Sequence, residues 1–282
     1  MRLDKPRVLV VGDYMTDYYW LGTTERLSPE APIPVVKINE TKELPGGAGN
    51  VAANLRALGA EVVEVPGYPE DEWDTDGYRL SSTWPVPVKH RLMIGDTQVA
   101  RWDLYDHCEP APAADIQRLG KAVDAVVVAD YQKGSIDYLV REAIIALGLP
   151  TFVDTKGHPA FWTQAEAVFP NLKEYEKYRQ GYSACNTVVL KQGAGGITEN
   201  RRDPWASSWR KAEARWVRSV NGAGDTVMAA YVYARLVGEP DPLGFANAAA
   251  AVVVEKPLTA VATVEEIEKR LGRSISRKRR AA

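Results

Sequence analysis

Residues 219–230, S-V-N-G-A-G-D-T-V-M-A-A, combine a short glycine-bearing turn with the start of a predicted helix. Gly222 and Gly224 allow the backbone to turn tightly and bring its N–H groups close to a ligand. The helix directs unpaired N–H donors and the positive end of its dipole at this turn, which can therefore hold a phosphate or another developing anion. Asp225 would compete with that anion unless it is the general base for a neighbouring hydroxyl. The stretch predicts phosphoryl transfer, with a helix N-terminal cap as the alternative role for Asp225.

A second glycine cluster lies in residues 44–60, L-P-G-G-A-G-N-V-A-A-N-L-R-A-L-G-A. Gly46 and Gly47 lead into a predicted helix whose apolar residues recur at helical spacing. Asn50 and Asn54 are one turn apart and therefore share a face of that helix. Neither the Rossmann pattern nor a Walker A sequence occurs in the chain. The cluster alone is a weak indication of ligand binding.

Two aspartates follow the first predicted strand, residues 7–12, R-V-L-V-V-G. Its continuous apolar run is typical of a strand buried on both faces of a parallel sheet. Asp13 and Asp17 come at or just past its carboxyl end, the edge where open α/β sheets bind ligands. They are candidates for binding the hydroxyl groups of a ligand, and the alternative is that they are turn-forming, solvated aspartates.

From residue 124 onward, predicted strands and helices alternate. Strands are predicted at 125–129, 151–153, 167–169 and 187–190, and helices at 136–147, 172–179, 242–255 and 264–271. This alternation predicts a mostly parallel sheet with helices on both faces. Polar residues follow four successive strands: Asp130, Lys133, Asp154, Lys156, Asn171, Glu174 and Lys191. Together they fit an active-site edge, although each one alone also fits an ordinary surface loop.

Two segments interrupt this pattern and predict a separate small sheet. Residues 26–42 contain three prolines before a short predicted strand, and residues 86–94 and 98–104 are β-rich, separated by Gly95-Asp96. We expect them to form a lid beside the main sheet. Residues 67–87 are polar, acidic and rich in Pro and Trp, and are predicted to be irregular.

Composition limits the classes of function. The chain has 282 residues, 45% hydrophobic and 26% charged, with a net charge of −2. Near-neutral charge argues against broad electrostatic binding of nucleic acid or membranes, and the basic run 277–280 is expected to be a frayed, solvated end. Cys108 and Cys185 are far apart without metal-type spacing. Together with the absence of a signal-peptide pattern or a membrane-length apolar run, this predicts a cytoplasmic protein.

The two glycine stretches resemble the signatures of the ribokinase-like (PfkB-type) carbohydrate kinase family. Residues 46–54, G-G-A-G-N-V-A-A-N, are similar to its first signature and residues 221–226, N-G-A-G-D-T, to its second. Further segments look like the D-glycero-β-D-manno-heptose-7-phosphate kinase branch, among them V-G-D-Y-M-T-D-Y-Y-W, S-P-E-A-P-I-P-V-V-K, V-A-R-W-D, A-D-Y-Q-K-G, V-D-T-K-G, P-N-L-K-E-Y-E and F-A-N-A-A-A-A-V-V-V. The resemblance implies a three-layer α/β/α sandwich with a mostly parallel central sheet. It makes residues 1–282 a single kinase domain with a discontinuous lid from 14–44 and 86–104.

The resemblance also implies ATP and Mg²⁺ as cofactors and a role for each matching residue. Asp225 would deprotonate the anomeric hydroxyl of a sugar, beside an anion hole formed by Gly222, Ala223 and Gly224. The positions that match sugar-contacting segments are Asp13, Asp17, Gly46, Gly47 and Asn50. The N-x-x-E motif, Asn171 and Glu174, would help to hold magnesium, partly through water, and the nucleotide phosphates. The adenine and ribose side matches Lys191, Gly193, Gly196 and Asn247. From their charge, we add Arg101, Lys133 and Lys156 as partners for a phosphate already on the sugar.

Three departures from the family pattern bear on these expectations. Ser219 and Asn221 stand where the family usually has Asp and Thr around a monovalent-cation loop, so the resemblance leaves potassium activation open. The region 67–87 is shorter than in the family, which affects the choice of substrate. No adenylyltransferase half follows Ala282, so any nucleotidyl transfer is expected to need a second protein.

The leading interpretation is an ATP- and magnesium-dependent kinase for a heptose 7-phosphate or a related sugar phosphate, acting as a homodimer through the lid. The alternatives are a kinase of the same fold for another sugar or a nucleoside, and a non-catalytic sugar or nucleotide sensor. A protein that only binds has no need of the general base, which argues against the sensor.

Overall fold

A computed structural model describes residues 3–67, 86–202 and 206–274. Most of the segment predicted to be irregular, 68–85, and the basic run 277–280 lie outside the described residues. The strands are β1 (Arg7–Gly12), β2 (Tyr14–Leu27), β3 (Pro34–Gly47), β4 (Glu61–Pro66), β5 (Val88–Ile94), β6 (Thr97–Leu104), β7 (Ala125–Asp130), β8 (Thr151–Thr155), β9 (Ala167–Val168), β10 (Thr187–Lys191), β11 (Ile197–Arg201) and β12 (Ala206–Arg210). The α-helices are α1 (Ala48–Ala57), α2 (Ala113–Leu119), α3 (Tyr138–Ala146), α4 (Leu172–Lys177), α5 (Arg179–Tyr182), α6 (Ala223–Val237), α7 (Pro242–Val254) and α8 (Val264–Leu271).

An eight-stranded sheet forms the central layer, in the order β12-β11-β10-β9-β8-β7-β1-β4. The pairs from β4 through β10 are parallel, and β11 and β12 add an antiparallel edge. Its parallel strands all end at one edge, where the loops after them meet. The predicted, mostly parallel sheet is confirmed.

Both faces of this sheet are buried, which explains the continuous apolar runs. Val8 and Val10 of β1 pack in a core with residues of α1, α6, α7 and α8. Leu9 and Val11, which point the other way, pack in a second core with residues of α2 and α3. Successive strand side chains alternate between the faces, so each strand supplies both cores. The three-layer α/β/α fold is confirmed.

The lid is a separate four-stranded sheet in the order β3-β2-β5-β6. Its strands fall within the predicted segments 14–44 and 86–104, apart from the end of β3, which runs on to Gly47. The expectation of only a short strand in residues 26–42 is wrong, because β2 and β3 are 14 residues each and pair along their length. In the described ranges, no helix combines the length and apolarity needed to cross a membrane.

Candidate active site

The turn at Gly222 begins α6 and shows why the sequence needs glycine there. Gly222 has a φ of 73°, in the left-handed region, and a Cβ atom on it would lie 2.5 Å from Asn50 Nδ2. It is the N-cap residue of α6, and no side chain caps the helix there. Asp225 therefore does not cap the helix. The N–H groups of the first turn remain without a side-chain partner, as an anion-binding turn requires.

The Asp225 carboxylate is buried and is held by two donors. Asn50 Nδ2 donates to Asp225 Oδ2 at 2.7 Å, and the Tyr131 hydroxyl donates to Asp225 Oδ1. Asn50 lies on α1 and Tyr131 directly follows β7, so three elements converge on this one carboxylate. It is fixed in place at the N-terminus of α6.

A buried chain of side chains orients Asn50 for this contact. Thr226 Oγ1 donates to Asn54 Oδ1 at 2.9 Å, and Asn54 Nδ2 donates to the Asn50 carbonyl at 2.8 Å and to Asn50 Oδ1 at 3.1 Å. Because Asn50 Oδ1 is an acceptor in this chain, its amide N–H₂ group faces Asp225. The shared face predicted for Asn50 and Asn54 joins α1 to α6 at Asp225 and Thr226.

Burial raises the pKa of Asp225 to about 6, against the hydrogen bonds from Tyr131 and Asn50, which lower it. The charge of Asp154 raises this pKa further, and that of Lys191 lowers it. A carboxylate whose pKa lies just below neutral is mostly ionised at pH 7 and still able to accept a proton, as a general base must.

Asp13 is fully buried and holds the loop after β7. Its Oδ2 accepts the N–H groups of Tyr131 at 2.7 Å and Lys133 at 3.1 Å, and its Oδ1 accepts that of Ser135 at 3.0 Å. These three bonds place Tyr131 beside Asp225. Asp13 therefore acts on the site indirectly, by fixing this loop. Its carboxylate accepts hydrogen bonds from three backbone N–H groups.

Asp17 lies on β2 of the lid, against Gly46. A Cβ atom on Gly46 would lie 3.1 Å from the Asp17 carboxyl carbon, so glycine gives that carboxylate room beside the backbone. Arg91 Nη1 lies 3.0 Å from Asp17 Oδ1 in a buried ion pair. Gly47, with a φ of 55°, completes the turn into α1, and a Cβ there would collide with the Asp13 carbonyl at 2.3 Å.

Two lysines lie against the ring of Tyr131. Lys156 Nζ is 4.6 Å and Lys89 Nζ 5.5 Å from the ring centroid. In the part of the chain that the structure describes, neither forms an ion pair with a carboxylate, and Lys89 Nζ instead contacts Met15 Sδ at 2.8 Å. Burial lowers the pKa of Lys89, Asp17 raises it, and the nearby Lys156, Arg101 and Arg91 lower it further. The concentration of positive charge makes the surroundings of the Tyr131 ring a favourable place for an anion.

The other two predicted phosphate partners already have carboxylates. Arg101 is exposed on β6 and binds Asp103 through Nε at 2.8 Å and Nη2 at 2.6 Å. Lys133 Nζ forms an ion pair with Asp106. Of the three cations predicted from their charge, only Lys156 contacts Tyr131, the residue whose hydroxyl binds Asp225.

The residues expected to contact the nucleotide begin at the end of β10. Lys191 Nζ forms an ion pair with Asp154, and a Cβ on Gly224 would lie 3.5 Å from that nitrogen. The ammonium group therefore lies close to the turn at the N-terminus of α6. Asn247 on α7 donates to the Lys211 carbonyl at 2.7 Å, beside the hairpin of β11 and β12.

Gly193 and Gly196 form the turn between β10 and β11, with φ values of 56° and 90°. A Cβ atom on Gly196 would lie 2.0 Å from the Arg210 carbonyl, so only glycine allows this close approach. Trp209 Nε1 donates to the Gly195 carbonyl at 3.0 Å across the hairpin. The two glycines therefore lie next to Lys191, at the same edge of the central sheet.

Asn171 and Glu174 form a reciprocal capping box at the start of α4. Asn171 Oδ1 accepts the Glu174 N–H at 3.0 Å, and Glu174 Oε2 accepts the Asn171 N–H at 2.8 Å. Burial raises the pKa of Glu174, and the nearby Asp154 raises it further. The carboxylates of Glu174 and Asp154 repel each other, and a hard cation such as magnesium binds carboxylate oxygens. Because the described residues contain no cluster of three or more His, Cys, Asp or Glu side chains, water and nucleotide phosphates would have to complete its coordination.

Sequence reasoning missed Tyr131, Lys89, Arg91 and Asp154 as site-forming residues. Lys89 and Arg91 alternate along β5, so they share a face, and this period was readable in V-K-H-R. Asp154 was recognised only as one of several polar residues at strand ends. Nothing in the local pattern around Tyr131 indicates that its hydroxyl reaches Asp225.

The chain is similar in sequence to known proteins. The chain is 34% identical over 309 aligned residues to the bifunctional protein HldE of Pseudomonas aeruginosa (strain LESB58), covering 96% of this chain and 65% of that protein. The HldE protein of Stutzerimonas stutzeri is also 34% identical, with the same coverage. The chain thus spans about 65% of the length of these relatives. No protein-family model matches it.

Among solved structures, Arabidopsis thaliana ribokinase complexed with ribose and ATP matches with a TM-score of 0.73 at 19% identity, covering 96% of this chain and all of that one. Escherichia coli phosphofructokinase-2 in complex with substrates and products matches with a TM-score of 0.69 at 13% identity, covering 95% of this chain and 98% of that one. At these identities, the structural matches establish the fold. The chain thus has the fold of these kinases and is similar in sequence to HldE over 65% of the length of that protein.

Proposed function

We propose that this protein is an ATP- and magnesium-dependent sugar kinase that phosphorylates the anomeric hydroxyl of a heptose 7-phosphate or a closely related sugar phosphate. The observation that carries the proposal is the buried Asp225, held by Asn50 and Tyr131 at the uncapped N-terminus of α6. A base beside an anion-binding turn has the two elements that phosphoryl transfer to a hydroxyl requires.

In the proposed reaction, Asp225 accepts the proton of the hydroxyl while that oxygen attacks the γ-phosphorus of ATP. The bond between this phosphorus and the β,γ-bridging oxygen breaks, and ADP leaves. The N–H groups of Gly222, Ala223 and Gly224 stabilise the charge on the transferred phosphoryl group. Lys191, which lies over the same turn, supports the nucleotide side. When bound beside Asn171 and Glu174, Mg²⁺ would neutralise charge on the nucleotide phosphates.

The sugar-phosphate part of the proposal rests on the positive charge beside Tyr131. Lys89 and Lys156 have no carboxylate partner among the described residues and lie on the ring of the tyrosine that binds the base. A phosphate on the sugar would provide the anion for both. Arg91, which is paired with Asp17, holds that carboxylate in place on the lid side of the sugar. The sequence resemblance to the heptose branch favours heptose 7-phosphate over other sugar phosphates.

The homodimer is proposed from the lid. Tyr19 of β2 is fully buried against the body of the same chain, whereas the two edge strands, β3 and β6, carry exposed apolar side chains. These include Ile38, Val99, Trp102 and Leu104. An exposed apolar sheet edge favours pairing with a second copy, and the alternative is a lid that folds only onto its own domain. We also propose a cytoplasmic location, because Cys108 and Cys185 are buried and unpaired.

The deciding experiment measures ADP release with Mg²⁺ and ATP against a panel of acceptors. The panel contains heptose 7-phosphate, other sugar phosphates, the dephosphorylated sugars and nucleosides, and the Asp225→Asn variant serves as the inactive control. We expect the highest kcat/KM for a sugar phosphate. A preference for a nucleoside or an unphosphorylated sugar would refute the assignment of substrate, and the absence of turnover with every acceptor would refute the kinase.

A further inference from the structure

The Tyr131 side chain contacts both the Asp225 carboxylate and two lysines. The Tyr131 hydroxyl donates to Asp225 Oδ1, while its ring contacts the ammonium groups of Lys156 and Lys89 at 4.6 and 5.5 Å from the centroid. Its backbone is fixed as well, because Asp13 Oδ2 accepts the Tyr131 N–H at 2.7 Å. Neither the glycine signatures nor the comparisons assign a role to this residue.

Resting on the proposed function, we propose that Tyr131 is a positioning residue that couples the base to the binding site for the sugar's phosphate. Its hydroxyl fixes the Asp225 carboxylate, and its ring holds Lys89 and Lys156 at a set distance from that carboxylate. A sugar phosphate then meets a base and a pair of cations whose separation is determined by one rigid ring.

The effect of the Tyr131 hydroxyl on the pKa of Asp225 can be separated from the effects of the other neighbouring groups. Four neighbouring groups act on its protonation: Asn50 from α1, Tyr131 after β7, Asp154 from β8 and Lys191 from β10. The two hydrogen bonds and Lys191 favour the ionised form, whereas burial and Asp154 oppose it. Removing only the Tyr131 hydroxyl should therefore raise the pKa of the base without changing the other groups.

Two substitutions separate the two halves of the proposed role. Tyr131→Phe keeps the ring and removes the hydroxyl, whereas Tyr131→Leu removes both. For Tyr131→Phe, we expect the acidic limb of kcat/KM to move up by about one to two pH units, with KM for the sugar phosphate unchanged. For Tyr131→Leu, we expect the same shift and, in addition, a KM for the sugar phosphate that is about 5- to 30-fold higher, because the cation–π contacts are lost. Tyr138→Phe, on an exposed tyrosine at the start of α3, is the matched control.

Two measurements do not depend on turnover. The Asp225 carboxyl is titrated by carbon NMR in the free protein, and binding of inorganic phosphate is measured by calorimetry, in all four proteins, with circular dichroism to verify folding. The expected result is a raised carboxyl pKa in both Tyr131 variants and weakened phosphate binding only in Tyr131→Leu.

An unchanged carboxyl titration in a folded Tyr131→Phe variant would overturn the proposal. Phosphate binding equal in Tyr131→Leu and the parent would overturn the role of the ring. If the parent phosphorylates no sugar phosphate while both physical measurements behave as expected, the proposed function fails and the positioning role of Tyr131 remains.

Discussion

Replacing Asp225 with Asn tests the chemistry most directly, because the change is nearly isosteric and removes the base. With a pKa of about 6, Asp225 is about nine-tenths ionised at pH 7 and is therefore ready to accept a proton. General-base catalysis contributes about 10²- to 10⁴-fold, equivalent to about 3–5 kcal/mol of barrier. We expect kcat to fall by this factor, with the KM for ATP within a few-fold of the parent value.

The same substitution should affect stability in a pH-dependent way. The folded-state pKa of Asp225 is raised from 3.8 to about 6, so the native state binds this proton more tightly than the unfolded chain does. The favourable contribution of protonated Asp225 to the free energy of unfolding is fully present below about pH 4, and it is lost as the pH rises towards 6. Above pH 6, the buried charge costs about 3 kcal/mol, at 1.36 kcal/mol per pKa unit.

The asparagine variant removes that cost but creates another. Both Asn50 and Tyr131 donate to the carboxylate. An asparagine has one acceptor oxygen, so its amide must instead donate to the Tyr131 hydroxyl, and the loss of two charge-assisted hydrogen bonds costs about 1–3 kcal/mol. We expect the variant to be as stable as the parent or slightly more stable at pH 7, and to lose this relative advantage as the pH is lowered to 4.

The assay combines initial rates of ADP release between pH 5 and 9 with thermal unfolding over the same range. The parent should show kcat/KM rising with pH through about 6, because only the ionised carboxylate accepts a proton. Turnover of the variant within a few-fold of the parent would refute the base. A large loss of stability in the variant at pH 7 would mean that Asp225 is structural, and the reasoning from its burial would be wrong.

Three further predictions follow from the site and the lid. Glu174→Gln should raise the magnesium concentration needed for half-maximal rate and leave the KM for the sugar unchanged; an unchanged magnesium titration would exclude the role in metal binding. Single alanine variants of Lys89 and Lys156 should bind a sugar phosphate about 10- to 100-fold more weakly and leave an unphosphorylated analogue unaffected, whereas Lys133→Ala should have a smaller effect because Asp106 already pairs with it. Equal effects on both acceptors would show that the site does not recognise a phosphate. Light scattering at micromolar concentration should give the mass of a dimer, and Trp102→Glu on the exposed lid strand should give a monomer; a monomeric parent would rule out the lid dimer.

Much of the fold was predictable because its elements are local. The buried run before Asp13 predicted β1 to the residue, and the alternation after residue 124 predicted the parallel strands and the helices between them. The turn at Gly222 was predictable because a left-handed backbone position beside an uncapped helix N-terminus requires glycine.

The lid strands and the sheet edge were harder to predict. The residues of β2, from Tyr14 to Leu27, mix aromatic and polar side chains, and only pairing with β3 and β5 extends them into a strand of 14 residues. The antiparallel β11 and β12 carry polar residues that read as loop, because the outer strand has one exposed face and edge. Strand formation in both regions depends on distant partners, which local patterns do not contain.

The position of Asn221, where the sequence departs from the family's threonine, has a physical explanation only in the folded chain. Asn221 Nδ2 donates to the Tyr19 hydroxyl at 3.1 Å, and that hydroxyl shares a hydrogen bond with Thr259 Oγ1 at 2.7 Å. These contacts join the lid strand β2, the turn before α6 and the segment between α7 and α8, over separations of 202 and 240 residues. Because Tyr19 is fully buried, its hydroxyl must keep these partners or lose about 1–3 kcal/mol. Two hydrogen bonds of one buried hydroxyl therefore join the lid strand β2 to the residue that precedes Gly222 and to Thr259, and local sequence patterns do not contain these contacts.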